Sequence, residues 1–495
     1  MEKTKNTILR MLALLLATLM VFASFASCAD KGKTEANNAD TTLTGTESGE
    51  SEENRDYLLE LPQMDFNGEK YSILVRTNME YEMYTESEVG ENVEDAVFRR
   101  NSRVNERYNV EIVSVPVEGE WVTQGVFSTA VTKSVTAGDC AYDLIAGYMA
   151  YTTGLATSGN FMNLLEVPGI NFENPWWTAG YIENNKIDNC LYMALGDISM
   201  TMWEYITCMY FNKQIVEDYN IENIYSLVNS GAWTYDKLMN LAKTIYSDVN
   251  SNGKLDNADK FGLTIDNNGS RVFVPASGID FTETDSEGTL TMVMFGEKYV
   301  DLYTKTYDLL RKKEQSIFYT ETDEAAKVKI FQENRALFMT GHLQDSEVMR
   351  GMETDFGIIP YPKYNETQDN YITIAADVAS VFCLPKVVKN VEMSGMILEA
   401  LCAESAHSVI PEYYETALKG KYSRDNDSAE MIDILRDTLK FDFGYVHAVV
   451  IGSIYEMFGN QIYYSNPNIT SFYEKNKKLI DKGLEKVLKA YAAIE

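Results

Sequence analysis

The sequence predicts an α/β fold built on a parallel sheet and divided into two or three domains. Two observations carry this reading. Between Tyr71 and Ala146 the apolar pattern alternates between strand and helix periods, giving strand, helix, strand, helix, strand. The chain, at 495 residues, is also too long for a single hydrophobic core.

The elements follow in order. Lys3, Lys5 and Arg10 precede an uncharged apolar run from Met11 to Ala26, then the small residues of Phe25-Ala26-Ser27-Cys28. A basic start, an apolar core too short to span a membrane and a small-residue exit predict a secretory signal over residues 1–27. A cysteine directly after the small residues resembles a bacterial lipobox, although Phe25 stands where an aliphatic residue is usual. Cys28 is therefore expected to carry lipid and to anchor the chain on the outer face of the cell membrane, its acyl chains supplying the binding energy. Residues 28–56 are polar and bury too little to fold, so they are expected to form a tether.

The body opens with strand-like Tyr71–Arg76 (YSILVR) and a helix with Val93, Val97, Val104 and Tyr108 on one face. Strand-like Asn109–Val115, a helix from Gly125 to Ala137 stopped by Gly138, and the short strand Asp143–Ala146 complete the pattern. Ligands in open α/β sheets sit beyond the carboxyl ends of the strands, which points to residues 77–90 and 147–159. Ala194–Phe211 reads as apolar and extended, and Thr234 as the N-cap of a helix running to Ala242. Further strands are expected at 336–339, 356–360 and 379–385. Helices follow from Glu392, the last a long amphipathic one from near Thr470.

Asp248-Val-Asn250-Ser-Asn252-Gly253-Lys254-Leu255-Asp256-Asn-Ala-Asp259 has the spacing of a calcium loop. Oxygen ligands stand at positions 1, 3 and 5, glycine at 6, a backbone carbonyl at 7 (Lys254) and a carboxylate at 12, with Asp256 a further acidic residue. Asn at positions 3 and 5 and the short Asp259 lower its charge and reach. Any Ca2+ here is expected to be structural. The cysteines after Cys28, at 140, 190, 208, 383 and 402, are odd in number and irregularly spaced. No disulfide framework is expected; at most one pair, such as Cys190 with Cys208, could bridge.

The net charge of −31 argues against nucleic acid and anionic membranes as partners. GxSxG, HExxH, GxGxxG and P-loop motifs are absent, and His342, His407 and His447 show no zinc-ligand spacing, so an enzyme is not expected.

Six segments resemble, in order, the bacterial extracellular solute-binding proteins of sugar-uptake ABC transporters (family 1). They are Ala137–Ile145 (AGDCAYDLI), Phe161–Leu165 (FMNLL), Met209–Lys213 (MYFNK), Gly231–Leu238 (GAWTYDKL), Phe331–Gly341 (FQENRALFMTG) and Phe356–Pro362 (FGIIPYP). The resemblance implies a periplasmic-binding-protein-like fold with two α/β lobes, hinge-crossing strands and a ligand cleft that closes. It implies a sugar ligand and an ABC permease partner for a monomeric protein. The lobes are expected at 57–200 with 362–410, and at 201–361 with 411–495, the second lobe carrying the 248–259 loop.

Sugars offer apolar faces to aromatic rings and hydroxyl edges to charged groups. On that chemistry Tyr148, Trp177 and Trp203 are expected as stacking platforms, with Trp176 beside them. Arg76, Glu204, His342 and Asp377 are the polar candidates, whereas Trp233, before a helix cap, reads as packing. Two rival readings remain: a polysaccharide-adhesion lipoprotein without a transporter, and a glycoside hydrolase, for which no carboxylate pair stands out.

Overall fold

The computed structural model describes residues 55–286, 288–312, 314–321, 323–414, 418–419 and 425–492. The expected signal segment, Cys28 and nearly all of the tether lie outside the described residues. No described helix is long and apolar enough to cross a membrane.

The first sheet grows from the alternating pattern read in the sequence. Strand β1 (Glu69–Arg76) buries Tyr71 and Ile73–Arg76 and pairs in parallel with β2 (Val110–Val117) and β3 (Leu144–Tyr148). Between β1 and β2 runs helix α1 (Asn92–Tyr108), ended by Asn109 in the left-handed conformation, and between β2 and β3 runs α2 (Gln124–Ala137). Gly138, at φ 65°, ends α2 by donating its N–H to the Ser134 carbonyl, a conformation glycine adopts without steric cost. Helix α3 (Met149–Ala156) leaves β3 directly.

The chain then crosses to a second sheet. Within Ala194–Phe211 the structure departs from the extended reading. Ser199 caps a short helix, α4 (Met200–Glu204), and only β4 (Thr207–Asn212) is a strand. Nearly every side chain in this stretch is buried, so the segment shows no polar face from which a period could be read.

The second sheet has the order β11-β4-β10-β6, with β5 (Tyr246–Ser247) and β9 (Ile317–Thr320) both on the far edge of β6 (Lys260–Asp266). β10 (Ala336–His342) runs parallel to β6 and antiparallel to β4, and β11 (Phe356–Ile359) pairs antiparallel to β4. Helices α5 (Tyr235–Ala242), α6 (Asn267–Ala276), α7 (Glu297–Arg311) and α8 (Glu324–Gln332) surround it. As expected, the Thr234 hydroxyl caps α5 by accepting from Lys237 N–H, and Trp233 is fully buried. A hairpin, β7 (Thr282–Thr284) with β8 (Leu290–Met292), stands apart.

The return crossing lies beside the first. Residues 363–371 still bind the second sheet's elements: Tyr235 N–H donates to the Lys363 carbonyl at 2.7 Å, and the Tyr371 hydroxyl to the Val228 carbonyl at 2.9 Å. The chain reaches the first sheet only with β12 (Ser380–Cys383), antiparallel to β3. Ile206 and Ala375 bridge antiparallel where the two crossings meet, and Thr373 bridges Leu439 in parallel. Helix α9 (Val391–Glu404) then packs against α1 and is buried over almost its whole length. After α10 (Asn426–Asp437) and α11 (Glu456–Tyr463), the amphipathic helix α12 (Ile469–Ala492) closes the chain. It stacks Tyr473 on Phe295 at 3.9 Å and hydrogen-bonds the Tyr491 hydroxyl to buried His447. The five cysteines after Cys28 are unpaired, so the Cys190–Cys208 bridge does not form.

Candidate functional site

The carboxyl ends of the three parallel strands converge on one aromatic wall. Arg76, the last residue of β1, is fully buried, and its guanidinium carbon lies 5.1 Å from the centre of the Tyr148 ring at the end of β3. The guanidinium also donates to the Val378 carbonyl at 2.9 Å and the Ser380 hydroxyl at 2.8 Å, which fixes the segment that carries Asp377. Its Nε and Nη1 have no hydrogen-bond partner. Tyr148 meets Tyr151 at 5.2 Å and Trp121, just beyond β2, at 6.1 Å. Burial raises the Tyr148 pKa, and Asp377 adds to the rise.

The facing wall comes from the second sheet's helices. Arg271 on α6 lies 4.7 Å over the Tyr455 ring and 3.9 Å from Glu456. Arg271 Nε and one Glu456 carboxylate oxygen are buried without a hydrogen-bond partner. Burial opposes the Arg271 charge, but Tyr455, Asp377 and Glu456 outweigh it and hold its pKa above the usual value. Asp377 is only partly exposed; burial raises its pKa while Arg271 and His342 pull it down. Burial likewise raises Glu456, against Arg271. The groups therefore form one electrostatically coupled set of acids, cations and aromatic rings, with donors and acceptors left over. Such a set suits a polar ligand with several hydroxyls.

The structure brings Arg76, Tyr148, Asp377 and His342 together. The His342 ring packs edge-on against Tyr205 at 5.5 Å, on the first crossing. Glu204 lies on the same crossing and accepts a hydrogen bond from the Tyr81 hydroxyl. Burial pushes its pKa up to about 7 against that bond, with Glu82 adding to the rise. Glu204 borders a cleft of about 750 Å³ that also meets Tyr81, Gln344 and Arg350. Trp203, 9% exposed, packs edge-on against Tyr414 at 5.5 Å.

Trp176 and Trp177 lie apart from this group. Their indole N–H groups donate to Glu399 of α9 at 3.1 and 2.9 Å, and Asn171 N–H and Asn174 Nδ2 complete the carboxylate's shell. The reason for two large rings in a polar loop is thus a buried carboxylate from far along the chain. Trp121, Arg271, Tyr455 and Glu456 escaped the sequence reading. Trp121 was within reach of it, since the rule that ligands lie beyond strand ends applies to β2 as it does to β1 and β3. Arg271 and Glu456 carry no local signal.

A larger groove, of about 920 Å³, lies between the β7–β8 hairpin and α12. It gathers exposed Lys477, Glu485 and Lys489 rather than a buried polar set.

The 248–259 loop joins β5 to β6, so its flanks are strands and not helices. Asp248 accepts from the N–H groups of Asn252 (3.2 Å) and Gly253 (2.8 Å), and the Asn252 carboxamide oxygen accepts from Lys254 N–H at 2.7 Å. Asn252 Nδ2, the Ala258 N–H and, more weakly, Asn250 Nδ2 donate to Asp256 and hold its pKa below the usual carboxylate value. Asp259 is fully buried, one of its carboxylate oxygens has no hydrogen-bond partner, and Arg335 pins its carbonyl at 2.8 Å. An orphaned, buried carboxylate oxygen at position 12 fits a cation. Elsewhere, Glu324, His342 and Asp345 approach one another, but the buried Lys327 ammonium lies 3.7 Å from Glu324 and supplies positive charge there.

No family model matches the chain, and no curated protein matches it. Solved structures do. A cyclo/maltodextrin-binding protein complexed with maltotetraose is 11% identical, covers 86% of this chain and 98% of its own, and has a TM-score of 0.53. The GacH receptor of Streptomyces glaucescens, solved unliganded and with acarbose, is 11% identical over 86% and 100%, at 0.52. The maltose/maltodextrin-binding domain MalE from Bdellovibrio bacteriovorus, bound to maltotriose, is 14% identical over 84% and 100%, at 0.52. At this identity the likeness speaks for architecture, and the chain has the periplasmic-binding-protein-like α/β fold of MalE-type proteins.

Proposed function

We propose that this protein is an exported solute-binding lipoprotein. It captures a carbohydrate, an oligosaccharide, between its two sheets and delivers it to the permease of an ABC importer. It is held at the outer face of the cell membrane through lipid on Cys28, acts as a monomer and performs no catalysis. The observation that carries this reading is the pairing of two walls. Arg76 at the carboxyl end of β1 and the rings of Tyr148 and Tyr151 at that of β3 face the Arg271–Glu456 pair, with Asp377 between them. Rings cover the apolar faces of a sugar, and the unpartnered guanidinium and carboxylate atoms bind its hydroxyls. The fold shared with sugar-binding proteins supports the same reading. A thermal-shift screen against mono- and oligosaccharides, short peptides and amino acids tests it, because a ligand bound only to the folded state raises the midpoint. Stabilisation by a sugar series is expected. Stabilisation by peptides alone would overturn the carbohydrate assignment.

A second proposal concerns the 248–259 loop. Ca2+ would be held by the side chains of Asp248, Asn250, Asn252 and Asp259 and the carbonyl of Lys254, with Asp256 completing the acidic shell. The orphaned, buried Asp259 oxygen supports it. The ion's contribution is structural: it ties the loop to the edge of the second sheet. Chelation is expected to lower the melting midpoint and leave sugar affinity unchanged, and an unchanged midpoint would remove the ion.

A further inference from the structure

Trp121 differs from the other four tryptophans. It is 44% exposed, whereas Trp176, Trp177, Trp203 and Trp233 are 9% exposed or less. Its neighbours Val122 and Val126 are 85% and 53% exposed, so the chain spends a contiguous apolar patch on solvent at the mouth of the aromatic wall. Single exposed apolar residues are ordinary, but here an exposed ring and two exposed aliphatics stand within six residues of one another, and the ring touches Tyr148 of the aromatic wall. The patch is also held in place. The Tyr151 hydroxyl donates to the Gly119 carbonyl at 2.7 Å, and Gly119 lies so close to Arg76, Phe127 and Tyr151 that a Cβ there would collide with all three. The backbone leading to Trp121 is therefore clamped onto the residues that orient Tyr148. Glu118 and Glu120, both exposed, flank it with hydrogen-bond acceptors.

We propose that Trp121 forms an outer sugar subsite, continuous with Tyr148, so that the ligand is a neutral oligosaccharide whose second and later rings lie across Trp121. This rests on the carbohydrate reading above and narrows it. The two ring centres are 6.1 Å apart and tilted by 52°, which offers successive sugar rings separate faces, and the carboxylates of Glu118 and Glu120 disfavour an acidic sugar.

The test has two stages. The purified protein is first screened by thermal shift against linear gluco-, xylo- and manno-oligosaccharides of graded length, with the corresponding monosaccharides. For the series that binds, calorimetry then compares the wild type with Trp121→Ala and Trp121→Phe. The expected Trp121→Ala penalty is about tenfold in Kd for the longer oligosaccharides and negligible for the monosaccharide, with most of the loss restored by Trp121→Phe. Acrylamide quenching of intrinsic fluorescence, which reports the one exposed indole, is expected to fall when a long oligosaccharide binds and to be unaffected by the monosaccharide. If a sugar series binds and Trp121→Ala binds every length like the wild type, the outer subsite is refuted and the carbohydrate reading stands. If no sugar in the panel binds the wild type, both fall.

Discussion

Replacing Glu204 by glutamine isolates one buried carboxyl whose ionisation works against folding. Burial on the first crossing pushes its pKa from the ordinary 4.5 to about 7. Between those values the folded protein holds a proton that the unfolded chain has released, so stability falls as pH rises through the window. The displacement corresponds to a loss of about 3 kcal/mol, complete above pH ~7 and absent below pH ~4.5. The glutamine side chain has no such titration, while its amide oxygen still accepts from the Tyr81 hydroxyl. Urea unfolding of both proteins at intervals from pH 4.5 to 8 gives the difference directly, and the shared background, Glu82 included, cancels. The variant is expected to gain about 3 kcal/mol on the wild type across this range, most steeply between pH ~5 and ~7. A difference that stays constant from pH ~5 to ~8 would show that Glu204 ionises in the folded state as it does in water and that its burial carries no such cost.

Other substitutions separate packing from binding. Glu399→Ala leaves the Trp176 and Trp177 indole N–H groups without their acceptor, so a loss of about 3–5 kcal/mol in unfolding free energy is expected, with sugar affinity unchanged in calorimetry. Gly119→Val forces a side chain into Arg76, Phe127 and Tyr151 and should cost about 1–3 kcal/mol by thermal denaturation. Arg271→Met keeps the stem packed and removes the charge facing Asp377 and Glu456; calorimetry should show a loss of at least about tenfold in sugar affinity. Asp259→Ala should abolish any calcium-dependent rise in the melting midpoint, read by titrating the metal into chelated protein.

The first sheet was legible because its signals are local. Tyr71–Arg76 alternates, Gly138 ends a helix, and a half-buried helix shows its face, whereas Asn109, expected to open a strand, instead ends α1. Ala194–Phe211 was not, because a segment buried on every side presents no period, and its helix α4 is set by Ser199 and by the Glu82 carboxylate that accepts from the Thr201 N–H and hydroxyl. The same division runs through the site. Strand-end position singled out Arg76 and Tyr148, and it applies equally to Trp121. Trp176 and Trp177 draw their meaning from Glu399, more than two hundred residues away, and Arg271 faces Asp377 only once both sheets exist. Pairings of that kind are decided by tertiary structure and leave no mark on the local sequence.

The order of synthesis gives β12 a timing role. The first sheet lacks its edge strand, and α1 lacks the buried helix α9 that covers it, until the whole of the second sheet has been made. Arg103 of α1 likewise waits for Glu404, its partner at 2.8 Å. Contacts this distant along the chain close slowly, since the intervening loop entropy must be lost before they stabilise anything. The amino-terminal part therefore stays threadable while most of the polypeptide emerges. If the chain is exported as proposed, this delay is the interval in which it can be threaded through a narrow channel before it folds.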